Sequence, residues 1–360
     1  MKHRQTGITK VGVVNADGHA IGLDIGATGV RAAILAPGTH EGRPSVTVHG
    51  IGHVGLPDGA VVNGVVMNKQ AVTMALKSLW QVNKFECRNV ILGITNQQVV
   101  VRDLTVPNLD AEQRAKALPF QAKEIIALPI EQVLLDFAQL GDVDPETNMI
   151  KGLLVATPRQ PVLAAVEAVE KAGLKVARVD LSSFAALRSI ADENLSIEAV
   201  VDIGAHMTNV VVHAQGVPKV VRTVTRGGQE LTSALAEAMG MSPADAEQAK
   251  CQIGLVGNNP GVTKALNTAV RPLLAELRSS IQYFSSTNGG LAIERISLTG
   301  GGSGLAGLAA LLGEQMGVPT NVVAPTQHIR NRWANKQAQN EESEGFTSAV
   351  SVGLAMGAAA

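Results

Sequence analysis

Apolar residues along the chain occur either in short continuous runs, typical of strands, or at helical spacing. Two of the runs have the same order of apolar and polar positions. The run 21–35 reads IGLDIGATGVRAAIL, an apolar strand, a glycine-bearing turn and a second apolar strand. The run 200–214 reads VVDIGAHMTNVVVHA and repeats this order, with the Asp-x-Gly of Asp24 repeated at Asp202. Each run predicts a β-hairpin, and their recurrence about 178 positions apart indicates an internal duplication.

The segment between the hairpins alternates between helical and strand periods. The predicted elements are, in order, a helix over 70–80, strands over 89–94 and 97–106, a helix from 111 to about 126, strands over 133–140 and 152–157, a helix over 161–172, a short strand over 176–179 and a helix over 184–190. The block from 88 to 175 therefore reads as a small α+β subdomain inserted into the first domain.

The segment after the second hairpin is predominantly helical. The pattern predicts helices over 229–239 and 242–253 and one long helix over 263–284, in which we expect Pro272 to cause a kink. A strand over 295–298 leads into the glycine-rich sequence TGGGSG and a helix over 305–316. The polar, charged segment 331–345 predicts a flexible loop, after which small residues over 347–357 predict a last helix.

Length and charge narrow the class of protein. A chain of 360 residues is too long for a single hydrophobic core, so more than one domain is expected. Lys+Arg at 30 against Asp+Glu at 31 give a net charge of −1, which provides no basic field to attract nucleic acid or anionic lipid. No segment approaches the roughly 20 apolar residues of a membrane span, so we expect a cytoplasmic protein that meets the membrane only indirectly, through partners.

The glycine turns of the two hairpins are suited to a nucleoside triphosphate. Phosphates need backbone N–H donors close by, and glycine permits that approach. Asp24, at the end of a strand, can hold Mg²⁺ through water, and Arg31 can direct its guanidinium toward the phosphates. The candidate turn residues are Gly26, Ala27, Thr28 and Gly29 in the first hairpin and Gly204 and Ala205 in the second.

Each of these features also has an ordinary structural explanation. A single hairpin of this kind is more often a plain glycine turn with a solvated aspartate, and a lone glycine triplet is often a helix-entry loop. Glu247 and Lys250 share a helix face and could form only an exposed ion pair, or could reach a ribose and a base. The combination of two hairpins with a later strand, glycine triplet and helix favours the nucleotide site. The candidate residues of that third element are Gly300, Gly301, Gly302 and Ser303.

These motifs resemble those of the actin-like ATPases. The Asp24 hairpin resembles their first phosphate motif, the Asp202 hairpin the second, and 299–303 the adenosine motif. Within that superfamily, ALPFQAKEIIALPIEQVLLDFAQLG and TRGGQELTSALAEAMGMSPADAEQAK resemble the PilM family of type IV pilus assembly proteins. The resemblance extends over almost everything from 21 to 357.

The resemblance implies an α/β fold: an actin-like (ribonuclease H-like) duplicated two-domain fold with an inserted α+β subdomain of the FtsA/PilM type. The expected divisions are 20–87 and 176–199 for the first domain, 88–175 for the inserted subdomain, 200–223 for the second domain, 224–291 for a helical subdomain over the nucleotide, 292–330 for the second domain with the adenosine motif, 331–345 for the loop, and 346–360 for a helix returning to the first domain.

The resemblance further implies ATP and Mg²⁺ as cofactors, with Asp24 and Asp202 near the metal. The positions expected near base and ribose are Gly227, Gly228, Glu247 and Lys250, and Thr208 and Asn209 follow the second phosphate turn. PilM-like proteins usually have serine where Ala27 and Gly29 stand, lysine where Arg31 stands, and Glu-Pro where Ser182-Ser183 stand. Because a carboxylate at 182 could position water, its absence predicts slow or absent hydrolysis, with nucleotide serving to set conformation.

The expected partner, also by resemblance, is the cytoplasmic N-terminal peptide of a PilN-like membrane protein, and self-association is left open. An apolar wall could accept this peptide, although burial in the subdomain's own core is the commoner fate of such residues. The wall consists of Phe120, Ile125, Ile126, Leu128 and Ile130. Two alternative functions are an FtsA-like cell-division protein and a small-molecule kinase of the sugar-kinase branch.

Overall fold

The computed structural model of the protein describes residues 19–40, 43–325, 330–331 and 345–359. Its first half contains, in chain order, β1 (Ala20–Ile25), β2 (Gly29–His40), β3 (Arg43–Gly55), β4 (Val61–Val62), β5 (Val65–Val66), α1 (Lys69–Asn83), β6 (Asn89–Ile94), β7 (Val100–Pro107), α2 (Ala111–Ala122), β8 (Val133–Gln139), β9 (Met149–Pro158), α3 (Arg159–Lys171), β10 (Lys175–Leu181) and α4 (Ser182–Ile190).

The second half contains, again in chain order, β11 (Glu198–Ile203), β12 (Thr208–Ala214), β13 (Val217–Val224), α5 (Gly228–Met239), α6 (Pro243–Ile253), α7 (Pro260–Ala269), α8 (Arg271–Thr287), β14 (Arg295–Thr299), α9 (Leu308–Met316), β15 (Thr320–Val322), β16 (Arg330–Asn331) and α10 (Ala349–Ala359). None of the helices in these described ranges is long and apolar enough to cross a membrane.

The internal duplication is visible in the order of the strands. One sheet runs β10-β6-β1-β2-β3-β16 and the other runs β15-β14-β11-β12-β13. In both sheets a hairpin strand pairs with its antiparallel neighbour on one side and with a parallel strand on the other. The two predicted hairpins are therefore confirmed as β1–β2 and β11–β12, at equivalent places in two related sheets.

Each sheet is covered by helices because its strands carry apolar residues on both faces. In the first domain, α1 and α3 bury Leu76, Leu79 and Val169 against β1 and β6. In the second domain, α5, α7 and α8 form the larger core with β11 and β14. This core includes the apolar residues on one face of the predicted long helix, which are Val270, Leu274, Leu277, Ile281 and Phe284. The last helix, α10, is also a core element, since Val352, Leu354 and Ala355 are fully buried.

Several helix boundaries follow from local capping residues. Asn68 caps α1 by accepting a 3.0 Å hydrogen bond from the Ala71 amide. Ser242 caps α6 in the same way, through the Asp245 amide at 3.2 Å, as its sequence predicts. Gly317 ends α9 in the left-handed conformation, with φ of 64°.

The inserted subdomain is smaller than the predicted range 88–175. Strand β6 pairs with β1 and β10 in the first domain's sheet, and α3 packs on α1 in the first domain's core. The separate sheet has the order β7-β9-β8, with α2 packed against it. The inserted unit therefore spans about 100–158. The two flanking segments return to the first domain because parallel strands pair across a long stretch of chain.

The predicted long helix 263–284 is two helices, α7 and α8. The break lies at Val270, and Pro272 stands in the first turn of α8, where its missing N–H needs no intrahelical partner. The helix predicted to reach about 126 ends at Ala122. The loop predicted over 331–345 lies outside the described residues except at its two ends.

Candidate functional site

A cavity of about 780 Å³ lies between the two related sheets. It is bounded by the ends of β1, β6, β11 and β14, and by the helices α5 and α6. Fifteen of the sequence-predicted residues line it: Asp24, Gly26, Ala27, Thr28, Arg31, Asp202, Gly204, Ala205, Asn209, Gly228, Glu247, Lys250, Gly300, Gly301 and Gly302. The volume is within the usual range for a small-molecule site.

The first turn of the cavity connects β1 to β2. The Gly26 amide donates a 2.9 Å hydrogen bond to the Gly29 carbonyl, which closes the turn. Asp24 stands directly opposite Arg31 across the hairpin, so a carboxylate and a guanidinium lie on neighbouring strands at the mouth of the turn. This end of the cavity carries both a possible metal ligand and a fixed positive charge.

The second turn connects β11 to β12 and has the same closure, with the Gly204 amide donating to the Met207 carbonyl at 2.9 Å. Its next two contacts are made with α5, because the Gly228 amide donates to the Gly204 carbonyl at 2.9 Å and the Gln229 amide to the Ala205 carbonyl at 2.8 Å. The second turn is thus attached to the helical side of the cavity.

The two aspartates lie half-buried together in this cavity. Loss of solvent around Asp24 and, to a smaller extent, the charge of Asp202 raise the pKa of Asp24 to about 6, against the lowering effect of Arg31. Burial likewise raises the pKa of Asp202, against a hydrogen bond from Asn209 and the charge of Arg31. Two neighbouring, half-buried carboxylates, one of which is disfavoured by the charge of the other, are suited to a hard cation such as Mg²⁺.

The protein supplies few further ligands for such a cation. Within the described ranges, no group of three or more His, Cys, Asp or Glu side chains is placed to hold a metal. A Mg²⁺ at Asp24 and Asp202 would therefore depend on waters and on a ligand's own oxygens, as is common for Mg²⁺ bound with phosphates.

The glycine triplet after β14 forms the wall beside Asp202. Gly300 has φ of 80°, and a Cβ atom there would lie 2.3 Å from Oδ1 of Asp202. At Gly301 a Cβ atom would have no neighbour closer than 4.0 Å, because that position faces the open cavity. The fold thus requires glycine at position 300, whereas a side chain at position 301 would fit the fold but reduce the space for a ligand in the cavity.

Glu247 and Lys250 belong to one hydrogen-bonded cluster with Thr232. The three N–H donors of Lys250 reach the Gly228 carbonyl at 3.1 Å, the Thr232 hydroxyl at 2.8 Å and the Glu247 carboxylate at 2.7 Å. Burial opposes ionisation of Glu247, but hydrogen bonds from Lys250 and Thr232 hold the pKa of this carboxyl below its ordinary value. Lys250 therefore orients Glu247 and the start of α5, and Glu247 is the member of this cluster available to a ligand.

Four predicted residues lie behind the cavity wall. Gly29 lies under His53, whose Nε2 would be 2.3 Å from a Cβ atom at that position, so the serine common in similar proteins has no room here. The Thr208 hydroxyl donates to the Arg226 carbonyl at 2.8 Å, and the Ser303 hydroxyl to the Gly300 carbonyl at 2.7 Å. Gly227 caps the N-terminus of α5. These residues support the wall of the cavity.

The cavity also includes residues that the sequence did not single out as ligand-binding. Ser182 lies at the start of α4 with its hydroxyl buried and without a hydrogen-bond partner among the described residues. Thr95, directly after β6, faces the cavity beside it, and His206 stands in the second turn. The resemblance already pointed to position 182, whereas the local signal for Thr95 was its position at the carboxyl end of β6, which became informative once β6 and β10 were known to be neighbours.

Comparisons with known proteins agree with this geometry. The family model described as Type IV pilus assembly protein PilM matches residues 22–359. The solved PilM-PilN type IV pilus biogenesis complex is similar with a TM-score of 0.83 and 28% identity, covering 95% of this chain and 98% of that chain.

More distant relatives share the fold. The ethanolamine utilization protein EutJ from Carboxydothermus hydrogenoformans has a TM-score of 0.54 at 14% identity, covering 94% of this chain and 89% of that one. MreB5 of Spiroplasma citri bound to AMPPNP has a TM-score of 0.53 at 13% identity, covering 93% of this chain and 94% of that one. The cell division protein FtsA of Pseudomonas aeruginosa is 26% identical, over 86% of this chain and 85% of that protein. The expected actin-like two-domain fold is confirmed.

Proposed function

The chain belongs to the PilM family of type IV pilus assembly proteins, whose model matches residues 22–359, and we propose that it binds ATP with Mg²⁺ to set the conformation in which it holds a PilN-like partner. The observation that carries the nucleotide part is the meeting of two half-buried aspartates, Asp24 and Asp202, in one cavity that also contains a glycine-lined wall.

The residues divide the cavity into a phosphate end and a nucleoside end. At the phosphate end, Arg31 supplies positive charge, and Asp24 and Asp202 would hold Mg²⁺, which neutralises the polyphosphate when bound. At the nucleoside end, the open side of Gly301 leaves room for a flat base, and Glu247 offers a carboxylate to ribose hydroxyls. A ligand contacted by both sheets favours the closed arrangement of the domains.

Rapid hydrolysis is not expected of this site. Ser182 stands where a carboxylate could accept a proton from water, and a hydroxyl does not act as a general base at neutral pH. A positioned base typically contributes about 10²–10⁴-fold in rate, so ATP should persist as a long-lived clamp.

The hydrolysis proposal is tested by phosphate release from the purified protein, with Asp24→Ala as the contamination control. We expect turnover far below the roughly 1–10³ s⁻¹ of working enzymes. Turnover in that range, lost in the control variant, would mean that another residue supplies the base. Ser182→Glu should then be compared, because a correctly placed carboxylate there raises turnover only if the remaining geometry is intact.

The partner proposal rests on the similarity to a solved PilM-PilN complex and on one exposed aromatic residue of the inserted subdomain. Of the five predicted wall residues, Phe120 on α2 is 81% exposed and Ile125 is 36% exposed, whereas Ile126 is buried and Leu128 and Ile130 pack against the subdomain core. We infer that Phe120 is the apolar contact for the cytoplasmic N-terminal peptide of a PilN-like protein. This contact would hold the chain at the inner face of the membrane.

The peptide contact is tested with a synthetic N-terminal peptide of the PilN-like protein from the same organism. Phe120→Ser should weaken its binding by about 10-fold or more, since burying an aromatic side chain is worth about 1.5–3 kcal/mol. Val256→Ser, at an exposed apolar residue of the second domain, is the matched control and should leave the affinity unchanged. Equal affinities for wild type and Phe120→Ser would remove this face of α2 from the proposal.

A further inference from the structure

Two buried polar contacts meet at the short segment Thr95–Asn96, which follows β6 at the edge of the cavity. The Thr95 hydroxyl donates to Oδ1 of Asn209 at 3.2 Å, and this bond joins the first domain to the second across the cleft. The Asn96 side-chain amide donates to the Thr157 hydroxyl at 3.0 Å, and this bond joins the first domain to β9 of the inserted sheet. The segment therefore touches three parts of the molecule through its two side chains.

Asn209 connects this segment to the cavity. Its Nδ2 donates to Oδ2 of Asp202 at 3.3 Å, while its Oδ1 accepts hydrogen bonds from Thr95 and, at 3.0 Å, from Thr223. Because one end of the amide is held by Asp202, the other end is turned toward Thr95. The orientation of the cross-cleft bond thus depends on the position of the Asp202 side chain.

The side chains of Asn96, Thr157 and Asn209 are all nearly fully buried. Leaving a buried polar group without its hydrogen bond costs about 1–3 kcal/mol. The three side chains therefore keep these partners when neighbouring segments move. Asn96 is further fixed by accepting the Gln98 amide at 2.9 Å. A shift of Thr95 must therefore move Asn96 and, through it, the end of β9.

We propose that Thr95 and Asn96 couple the occupancy of the Asp202 end of the cavity to the position of the inserted subdomain, with Asn209 and Thr157 as the positioning residues on either side. The inference rests on the proposed binding of ATP with Mg²⁺. Asn209 contacts both Asp202, which lines the cavity, and Thr95, so a ligand that touches both sheets favours the positions of Asp202 and Asn209 found in the closed cleft. Ligand binding then favours the arrangement in which the cross-cleft bond is made, and this bond reaches the sheet beside the proposed peptide contact.

The experiment is hydrogen exchange of the full chain, followed by mass spectrometry, with and without ATP and Mg²⁺. In the wild type, the ligand should slow exchange both at the glycine turns and in β7 and β9. Thr157→Val keeps the shape of the side chain but removes the hydroxyl, and it lies away from the cavity lining. This variant should bind ATP within about threefold of wild type by calorimetry, a small change on the scale of one hydrogen bond, yet lose at least half of the slowing in β7 and β9.

Three further variants keep the test decisive. Thr157→Ser retains the hydroxyl and should restore the slowing. Thr105→Val, an exposed threonine of the same sheet, is the matched control and should behave as the wild type. Thr95→Val should lose the slowing as Thr157→Val does. The two losses should not add in the double variant, because both interrupt one path.

The inference is overturned if Thr157→Val transmits the same ATP-dependent slowing to β7 and β9 as the wild type. It is equally overturned if the wild type binds ATP without any slowing in that sheet. Calorimetry separates these results from failure of the proposed function, since a wild-type protein that takes up no ATP at all would refute the nucleotide site itself.

Discussion

The two duplicated hairpins have the same backbone closure but different chemistry seven positions after the aspartate. In β1–β2 the residue opposite Asp24 is Arg31, and in β11–β12 the residue opposite Asp202 is Asn209. The first hairpin therefore places a permanent charge beside its carboxylate, whereas the second places a neutral amide that is hydrogen-bonded in both directions. The duplication preserved the turn and allowed the two halves to specialise.

The difference assigns separate tasks to the two halves. The charge of Arg31 acts on both aspartates, because it opposes the rise in the pKa of Asp24 and that of Asp202. Asn209 affects the electrostatics of Asp202 through one hydrogen bond, and its larger contribution is to connect Asp202 with Thr95. The first hairpin thus sets the charge beside the two aspartates, and the second hairpin connects Asp202 to the first domain through Asn209 and Thr95.

The largest expected effect concerns the wall beside the second aspartate. Gly300→Ala should destabilise the fold by about 2–4 kcal/mol, because its Cβ would collide with Asp202 in a left-handed backbone conformation.

Gly301→Val should leave the ligand-free melting temperature nearly unchanged but remove the stabilisation by ATP, since its side chain enters the open cavity. Thermal unfolding with and without ATP measures both. A Gly301→Val protein stabilised normally by ATP would exclude the triplet from the nucleoside end.

The next effect tests the burial of the first aspartate. Asp24 has a folded pKa of about 6 against an ordinary value of 3.8, so the folded chain binds this proton more tightly than the unfolded chain does. Its contribution to stability therefore falls as pH rises from about 4 to about 6 and stays lower above that range. Asp24→Asn should stabilise the ligand-free protein at pH 7.5 by an amount on the order of 1–3 kcal/mol.

Denaturant unfolding of wild type and Asp24→Asn at pH 4.5 and pH 7.5 provides the measurement. The gain should be larger at the higher pH, where the wild-type carboxylate is ionised without a cation. A variant that is equally or less stable than the wild type at pH 7.5 would show that Asp24 is adequately solvated or paired, contrary to the electrostatic account of this hairpin.

The smallest effect tests the electrostatic role of Arg31. Arg31→Met removes the charge but keeps an unbranched side chain, and it should weaken ATP binding about 10- to 100-fold, the range of one charge-assisted hydrogen bond. Arg159→Met, at an exposed arginine of α3, is the control for the loss of one positive charge. If both variants bind ATP equally well, the electrostatic task does not belong to the first hairpin.

Local features of the sequence predicted the parts of this site that depend on local structure. The two hairpins follow from apolar runs interrupted by Asp-x-Gly, and the cap of α6 follows from Ser242 and Pro243. For the hairpins and the cap, the contacts that decide the structure lie within a few residues of one another. The apolar residues of α8, Leu274, Leu277, Ile281 and Phe284, also lie in the core, because helical spacing puts them on one face even though their partners are distant in sequence.

Non-local contacts account for what the sequence did not reveal. The extent of the inserted subdomain depends on the parallel pairing of β6 with β1 and β10, which no local pattern specifies. Helical spacing places Lys250 beside Glu247 but does not show that all its donors are used within the protein. The contact between Thr95 and Asn209 joins residues that are 114 positions apart, and only the packing of the two domains on either side of the cleft brings them together.

A calorimetric titration of ATP into the wild type, in Mg²⁺ and again in excess EDTA, repeated with Asp24→Ala and Asp202→Ala, decides whether this cavity holds ATP with Mg²⁺. We expect saturable binding in Mg²⁺, a large loss of affinity in EDTA, and a loss of about 10- to 100-fold in each variant while the circular dichroism spectrum stays that of the folded protein. Affinity that is unchanged by EDTA and by both substitutions would mean that the two aspartates have no part in holding a metal or a nucleotide.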